Sequence, residues 1–132
     1  MSAIKVGNGG YLLDSHILIW LDTGNSLLTP AILELLRLAE HRYLSAASAW
    51  ELGLKQALHK IELGSSIHSM LPVFGLNELS VTVKHADRAA TLPMFHKDPF
   101  DRMLVAQALE ENLILVTADR RLLDYGVPLL VV

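Results

Sequence analysis

The chain has 132 residues, 52% hydrophobic and 19% charged, with a formal net charge of −3 and no cysteine. That is enough apolar material for one compact domain and too much for a disordered chain, and the missing cysteines exclude a disulfide scaffold or any thiolate chemistry. A mildly acidic balance excludes a bulk polyanion binder, so a nucleic-acid substrate would need local basic residues or bound cations.

No apolar run approaches the roughly 18–20 residues of a membrane span, and Met1 to Gly10 lacks an apolar signal-peptide core. A cytoplasmic protein with no membrane contact is expected. Gly7-Asn8-Gly9-Gly10 reads as the end of a flexible lead over residues 1–10, and residues 11–132 as a single domain without repeats or linkers. Tyr11-Leu12-Leu13 is a short buried strand ending at Asp14, and Ile17 to Leu21 continues as a helix. Thr29-Pro30 opens the next helix, with Thr as N-cap and Pro at the first position. Ile32, Leu35, Leu36 and Ala39 are spaced for one buried face. Tyr43-Leu44-Ser45 is a second strand, and Ser48 to about Lys60 a helix with Ala47, Trp50, Leu54 and Leu58 at helical spacing, Trp50 as a core residue.

Ser65-Ser66 precedes a further helix stopped by Pro72 or Gly75. Glu78 to Val83 alternates like a strand, Lys84 to Thr91 is helical, and Asp98-Pro99 opens an apolar helix to about Asn112. Leu113 to Thr117 is the clearest strand, continuous and β-branched; Arg120 to Tyr125 is a short helix ended by Gly126, and Leu129 to Val132 is the last strand. Short apolar strands alternating with helices predict an α/β fold, a three-layer α/β/α sandwich on a mainly parallel central sheet. Ligands of such sheets bind beyond the carboxyl ends of the strands.

Four acids fall at that edge: Asp14 after the first strand, Glu51 early in the helix after the second, Asp101 (with Asp98 nearby) in the apolar helix, and Asp119 after the fourth strand. Each also has a local explanation. Asp14, Asp98 and Asp119 suit helix caps, Ser48 to Glu51 fits a capping box, and Asp101 suits the positive end of its helix. Caps do not explain why Glu51 shares a face with Leu54 and Leu58, or Asp101 with Leu104, Val105 and Ala108, since acids on apolar stripes are costly unless paired. Lys55 is one turn from Glu51, but a surface pair contributes only about 0.3–0.5 kcal/mol. If the four converge, two carboxylates about 5 Å apart repel by roughly 3 kcal/mol at an effective dielectric of 20. Several such pairs rival a domain's whole stability of about 5–15 kcal/mol, so the site must raise pKa values or bind cations. Hard oxygen donors without cysteine favour Mg²⁺ or Mn²⁺, and such ions support phosphodiester hydrolysis.

The stretches Leu12-Leu13-Asp14-Ser15-His16, Ser45 to Glu51, His96-Lys97-Asp98-Pro99-Phe100-Asp101-Arg102 and Val116-Thr117-Ala118-Asp119 resemble, in order, the PIN-domain toxins of the VapC type. The resemblance runs from Tyr11 almost to the last residue. It implies a PIN-like fold and a Mg²⁺- or Mn²⁺-dependent endoribonuclease, with Asp14, Glu51, Asp101 and Asp119 as its acids. Either Asp98 or Asp101 touches metal, with Asp101 at the family's spacing before Ala106-Gln107-Ala108-Leu109. Ser15 and Thr117 orient ligands or phosphate through their hydroxyls. The resemblance further implies an RNA substrate, a homodimer and a cognate small antitoxin, which carries the DNA-binding part and covers the acidic site.

Lys97, Arg102, Arg120 and Arg121 flank the last two motifs and are candidates for RNA phosphate contact, against a solvated rim or, for Arg102, a pair with a nearby acid. The six histidines show no ligand spacing; His96, beside the acids, is the exception to a surface or structural reading. Aromatic residues are only 6%, which argues against base stacking as the mode of binding. A receiver-like signalling domain shares the architecture, but needs an acidic pair at the first strand and a Lys near the last, and this chain has neither. A pure binding module, or an RNA-processing nuclease outside a toxin system, remain alternatives.

Overall fold

The structure, a computed structural model, describes residues 10–132. The elements run β1 (Tyr11–Leu13), α1 (Ser15–Thr23), α2 (Pro30–Leu38), β2 (Arg42–Ser45), α3 (Ala46–Ala57), α4 (Ile67–Val73), β3 (Asn77–Leu79), α5 (Val83–Thr91), α6 (Pro99–Glu111), β4 (Ile114–Thr117), a 3₁₀ helix (Arg120–Tyr125) and β5 (Leu129–Val131). All the pairings are parallel, in the order β3-β2-β1-β4-β5.

The strands are apolar because both faces are covered. Leu12 and Leu115 face one layer with Leu104, Val105 and Ala108 of α6. Their neighbours Leu13 and Val116 face the other, with Ile17 and Leu18 of α1, Leu36 of α2 and Leu52 of α3. Alternate residues of one strand therefore anchor two separate cores, the signature of a three-layer sandwich.

Several elements begin on the residues that their chemistry predicts. The Thr29 hydroxyl accepts from Ile32 N with Pro30 at the first position, Ser66 caps α4, and Asp98 Oδ1 caps α6 ahead of Pro99. Gly126, at φ +69°, ends the 3₁₀ helix.

Other expectations are corrected. The supposed lead lies outside the described residues except for Gly10, which is no lead. It is buried at φ +110°, its carbonyl accepts from Ile114 N, and a Cβ there would lie 2.2 Å from the His41 carbonyl oxygen. In α2 only Leu36 is buried; Leu35 lies in solvent. The third strand is three residues long, because Thr82 leaves the sheet to cap α5 in a capping box with His85. Helix α3 begins earlier than the Ser48 signal implied. Ser45, the last residue of β2, caps it directly, so strand and helix meet without a loop. In that helix Trp50 (65% exposed), Leu54 and Leu58 lie outward, whereas Ser48, Glu51 and Leu52 are buried. Glu51 is thus on the core side, while the leucines it was expected to share a buried face with are exposed.

Candidate active site

The strand register assembles the inner half of the site. Leu13 of β1 pairs with Val116 of β4, so the residues that follow each, Asp14 and Thr117, lie side by side at the carboxyl edge of the sheet. Asp14 N donates to Val116 O at 2.9 Å, and the Thr117 hydroxyl donates to Asp14 Oδ2 at 2.7 Å. Asp14 occupies the N-cap position of α1 but makes no side-chain cap bond; its carboxylate faces the strand ends instead. On the other side of Asp14, the Ser15 hydroxyl donates to Glu51 Oε1 at 2.5 Å, and Lys55 Nζ lies 3.1 Å from Glu51 Oε2. Both inner acids are nearly enclosed, Asp14 at 7% and Glu51 at 8% exposure. The capping box is thereby excluded: Ser48 sits inside α3 with its buried hydroxyl unpartnered.

The outer half comes from α6, the segment before it, and the turn after β4. Asp98 Oδ1 caps α6, accepting from Phe100 N at 2.8 Å and Asp101 N at 3.2 Å. Asp101, one turn in, is left without a capping duty. Its partner is His96, whose Nε2 lies 3.3 Å from Asp101 Oδ2 and 3.3 Å from Asp119 Oδ2. Asp119 also caps the 3₁₀ helix through Arg121 N and receives the Arg121 guanidinium on both oxygens, at 3.0 and 2.8 Å. One donor atom each from His96, Asp101 and Asp119 lie within 4.8 Å of one another.

The two halves line one cleft of about 470 Å³ that holds Asp14, Glu51, Asp98, Asp101 and Asp119. His16 and Trp20 of α1, Lys55 and Arg121 complete its wall. The four predicted acids therefore converge, from four segments.

Electrostatics separate them. Burial pushes the Asp14 carboxyl up, against the pull of the Thr117 hydrogen bond. Asp101 is pushed up to about 7, by burial first and then by the charges of Asp14 and Asp98. Asp119 goes the other way: the Arg121 guanidinium holds it well below the usual carboxylate range. Clustered carboxylate oxygens without a thiolate form the donor set of a hard divalent cation, and the mutual repulsion felt by Asp101 is what such an ion relieves. The residues present fit a metal.

The candidates for ligand or phosphate contact divide. Ser15 and Thr117 give their hydroxyl protons to Glu51 and Asp14, so they orient acids. Lys97 and Arg120 are exposed and do not line the cleft. Arg102 is corrected outright. It is 8% exposed, and its guanidinium donates to the carbonyls of Ala89, Leu92, Pro93 and His96. It ties the 89–96 segment to α6 and faces neither solvent nor an acid.

Sequence reasoning missed His16 and Trp20. Their signal was present, a pair four residues apart in the helix that follows Asp14, but nothing in composition distinguishes a cleft wall from a core face. It also missed Tyr125, whose hydroxyl accepts from His96 N at 2.9 Å.

The PIN domain family matches residues 11–128. Ribonuclease VapC22 of Mycobacterium tuberculosis is 32% identical over 120 residues, which cover 89% of this chain and 92% of that protein. Among solved structures, VapBC2 from Rickettsia felis bound to a DNA fragment from its promoter aligns over 92% of this chain and 97% of the matched chain, with TM-score 0.70 and 19% identity. VapBC-1 from nontypeable Haemophilus influenzae aligns over 92% and 97%, with TM-score 0.64 and 20% identity.

Proposed function

Because the chain belongs to the PIN-domain family, we propose that it is a divalent-metal-dependent endoribonuclease acting as the toxin of a toxin–antitoxin pair. The family match also removes the receiver-domain alternative. One observation carries the enzymatic reading: Asp14, Glu51, Asp101 and Asp119, from four separate segments, line a single open cleft at the carboxyl edge of the sheet.

In this reading the four acids hold Mg²⁺ or Mn²⁺, with Asp101 rather than Asp98 as the third, since Asp98 is engaged in capping α6. A bound ion there supplies charge neutralisation at the phosphate and a more acidic water. The protein supplies the rest. Ser15 and Lys55 fix both oxygens of Glu51, and Thr117 fixes Asp14, so the inner carboxylates are oriented before any ligand arrives. Asp101, pushed up to about 7, would have to be deprotonated to hold a cation. Lys55 and Arg121 on the cleft wall are the cations placed to meet RNA phosphates.

VapC22 is named a ribonuclease, which supports RNA as substrate. A toxin–antitoxin complex from Klebsiella pneumoniae, also among the structural neighbours, supports a small antitoxin partner, and the family likeness supports a homodimer. No helix of the described residues is long and apolar enough to cross a membrane; a cellular RNA substrate supports action in the cytoplasm. An RNA-processing role outside a toxin system would use the same cleft. Expression in cells with and without a neighbouring antitoxin gene, followed by mapping of RNA 5′ ends, tests the reading. Growth arrest with new 5′ ends, both abolished by Asp14→Asn and by the antitoxin, is expected; unchanged RNA would overturn it.

A further inference from the structure

His96 sits between two of the acids, and its environment fixes more than its position. Its backbone N–H is held by the Tyr125 hydroxyl, and its carbonyl accepts from Arg102. Its ring Nδ1 accepts from Asp98 N at 3.2 Å. A nitrogen that accepts a backbone N–H has its lone pair engaged and carries no proton. The ring N–H is then at Nε2, the atom 3.3 Å from Asp101 Oδ2 and 3.3 Å from Asp119 Oδ2. The ring is mostly enclosed, its Nδ1 is engaged by the Asp98 N–H, and the backbone of His96 is held by Tyr125 and Arg102, so the ring does not turn freely.

Resting on the reading of this cleft as a metal site, we infer that His96 is a positioning residue: its Nε2–H is shared between Asp101 and Asp119, sets their spacing, and keeps His96 from being a metal ligand. To ligate through Nε2 the ring would have to move its proton to Nδ1, where it would point at the Asp98 N–H. That same Asp98 residue caps α6 and fixes the start of the helix that bears Asp101. The hydrogen bond from Asp98 thus couples the helix start, the imidazole tautomer and the placement of both outer acids. Arg102, at first a candidate for phosphate contact, acts here through the His96 carbonyl.

The test uses the full chain labelled with ¹⁵N-histidine, after removal of metal with EDTA and again with saturating Mg²⁺, whose binding is followed by calorimetry. Long-range ¹H–¹⁵N correlation of the His96 ring is expected to show a protonated Nε2 and a bare Nδ1 in both states. His96→Ala is expected to lower the metal-free melting temperature by roughly 3–8 °C. His96→Gln, whose amide keeps an N–H at similar reach, is expected to recover most of that loss. A proton on Nδ1 without metal would overturn the inference, and loss of the Nε2 proton when Mg²⁺ binds would overturn it by making His96 a ligand. Absence of Mg²⁺ binding to the wild-type chain, with the Nε2–H form still present, would sink the metal reading and uphold the hold on the two acids.

Discussion

The Thr117 hydroxyl donates to Asp14 Oδ2 at 2.7 Å, joining residues 103 positions apart at the floor of the cleft. The bond exists because β1 and β4 are neighbours in register, and it fixes the carboxylate oxygen that a cap would have turned elsewhere.

Asp14→Asn keeps the shape and the Thr117 partner while removing a charge that burial already disfavours. The expected outcome is loss of RNA cleavage by about a hundredfold or more, with metal-free stability unchanged or raised. Paired cleavage assays and thermal melts check this. A melting temperature that falls with activity would return Asp14 to a structural role.

Asp101 gives metal-free stability an unusual slope. Its carboxyl titrates at about 7 when folded, against 3.8 as its ordinary value. A raised folded pKa means that its contribution is fully present below pH 3.8 and is lost as pH rises towards 7, where the folded state must carry the charge. The expected loss is about 2–4 kcal/mol. Denaturant titrations in EDTA across that window would show it, and Asp101→Asn would flatten the curve.

Mn²⁺ should reverse that loss. An ion that binds only the folded cleft stabilises by about 2.7 kcal/mol at a hundredfold excess over its Kd. The melting temperature should therefore climb with Mn²⁺ concentration in the wild type and much less in Asp14→Asn or Asp101→Asn. A flat response in all three would remove the cation from the account.

Arg102→Lys retains the charge and loses the fork that serves carbonyls of the 89–96 segment. Leaving buried carbonyls unmet costs about 1–3 kcal/mol. Stability should drop, and any loss of cleavage should appear without a change in the salt dependence of RNA binding. A shallower salt dependence would instead mean that Arg102 touches phosphate.

The fold was legible where backbone chemistry is local. Thr29-Pro30, Asp98-Pro99 and Gly126 mark their helix ends because a cap, a fixed φ and a left-handed residue act within one turn. The layered architecture followed from strands too apolar to have a wet face. The start of α3 was misplaced because Ser45 and Ser48 offer equally good caps, and the choice between them is made by how β2 runs into the helix. Trp50 is exposed; helical spacing marks an apolar stripe without saying which stripe meets the core. The acids were legible as a set, because strand ends of a parallel sheet share one edge. Their partners were not: Arg121 on Asp119, Ser15 on Glu51 and the imidazole between Asp101 and Asp119 depend on distances no periodicity encodes. Arg102 shows the opposite failure, a charge beside the site by sequence and turned inward by the carbonyls it meets.

The alternation of Leu12 with Leu13, and of Leu115 with Val116, between two separate cores has a bearing on safety. If β4 slipped by one residue against β1, leucine and valine would trade layers, and Ala118 or Val116 would face Asp14 where a hydroxyl belongs. Any threading error that disarms the cleft also wrecks both hydrophobic layers. A nuclease built this way completes its acidic cleft only in the register that also fills both cores.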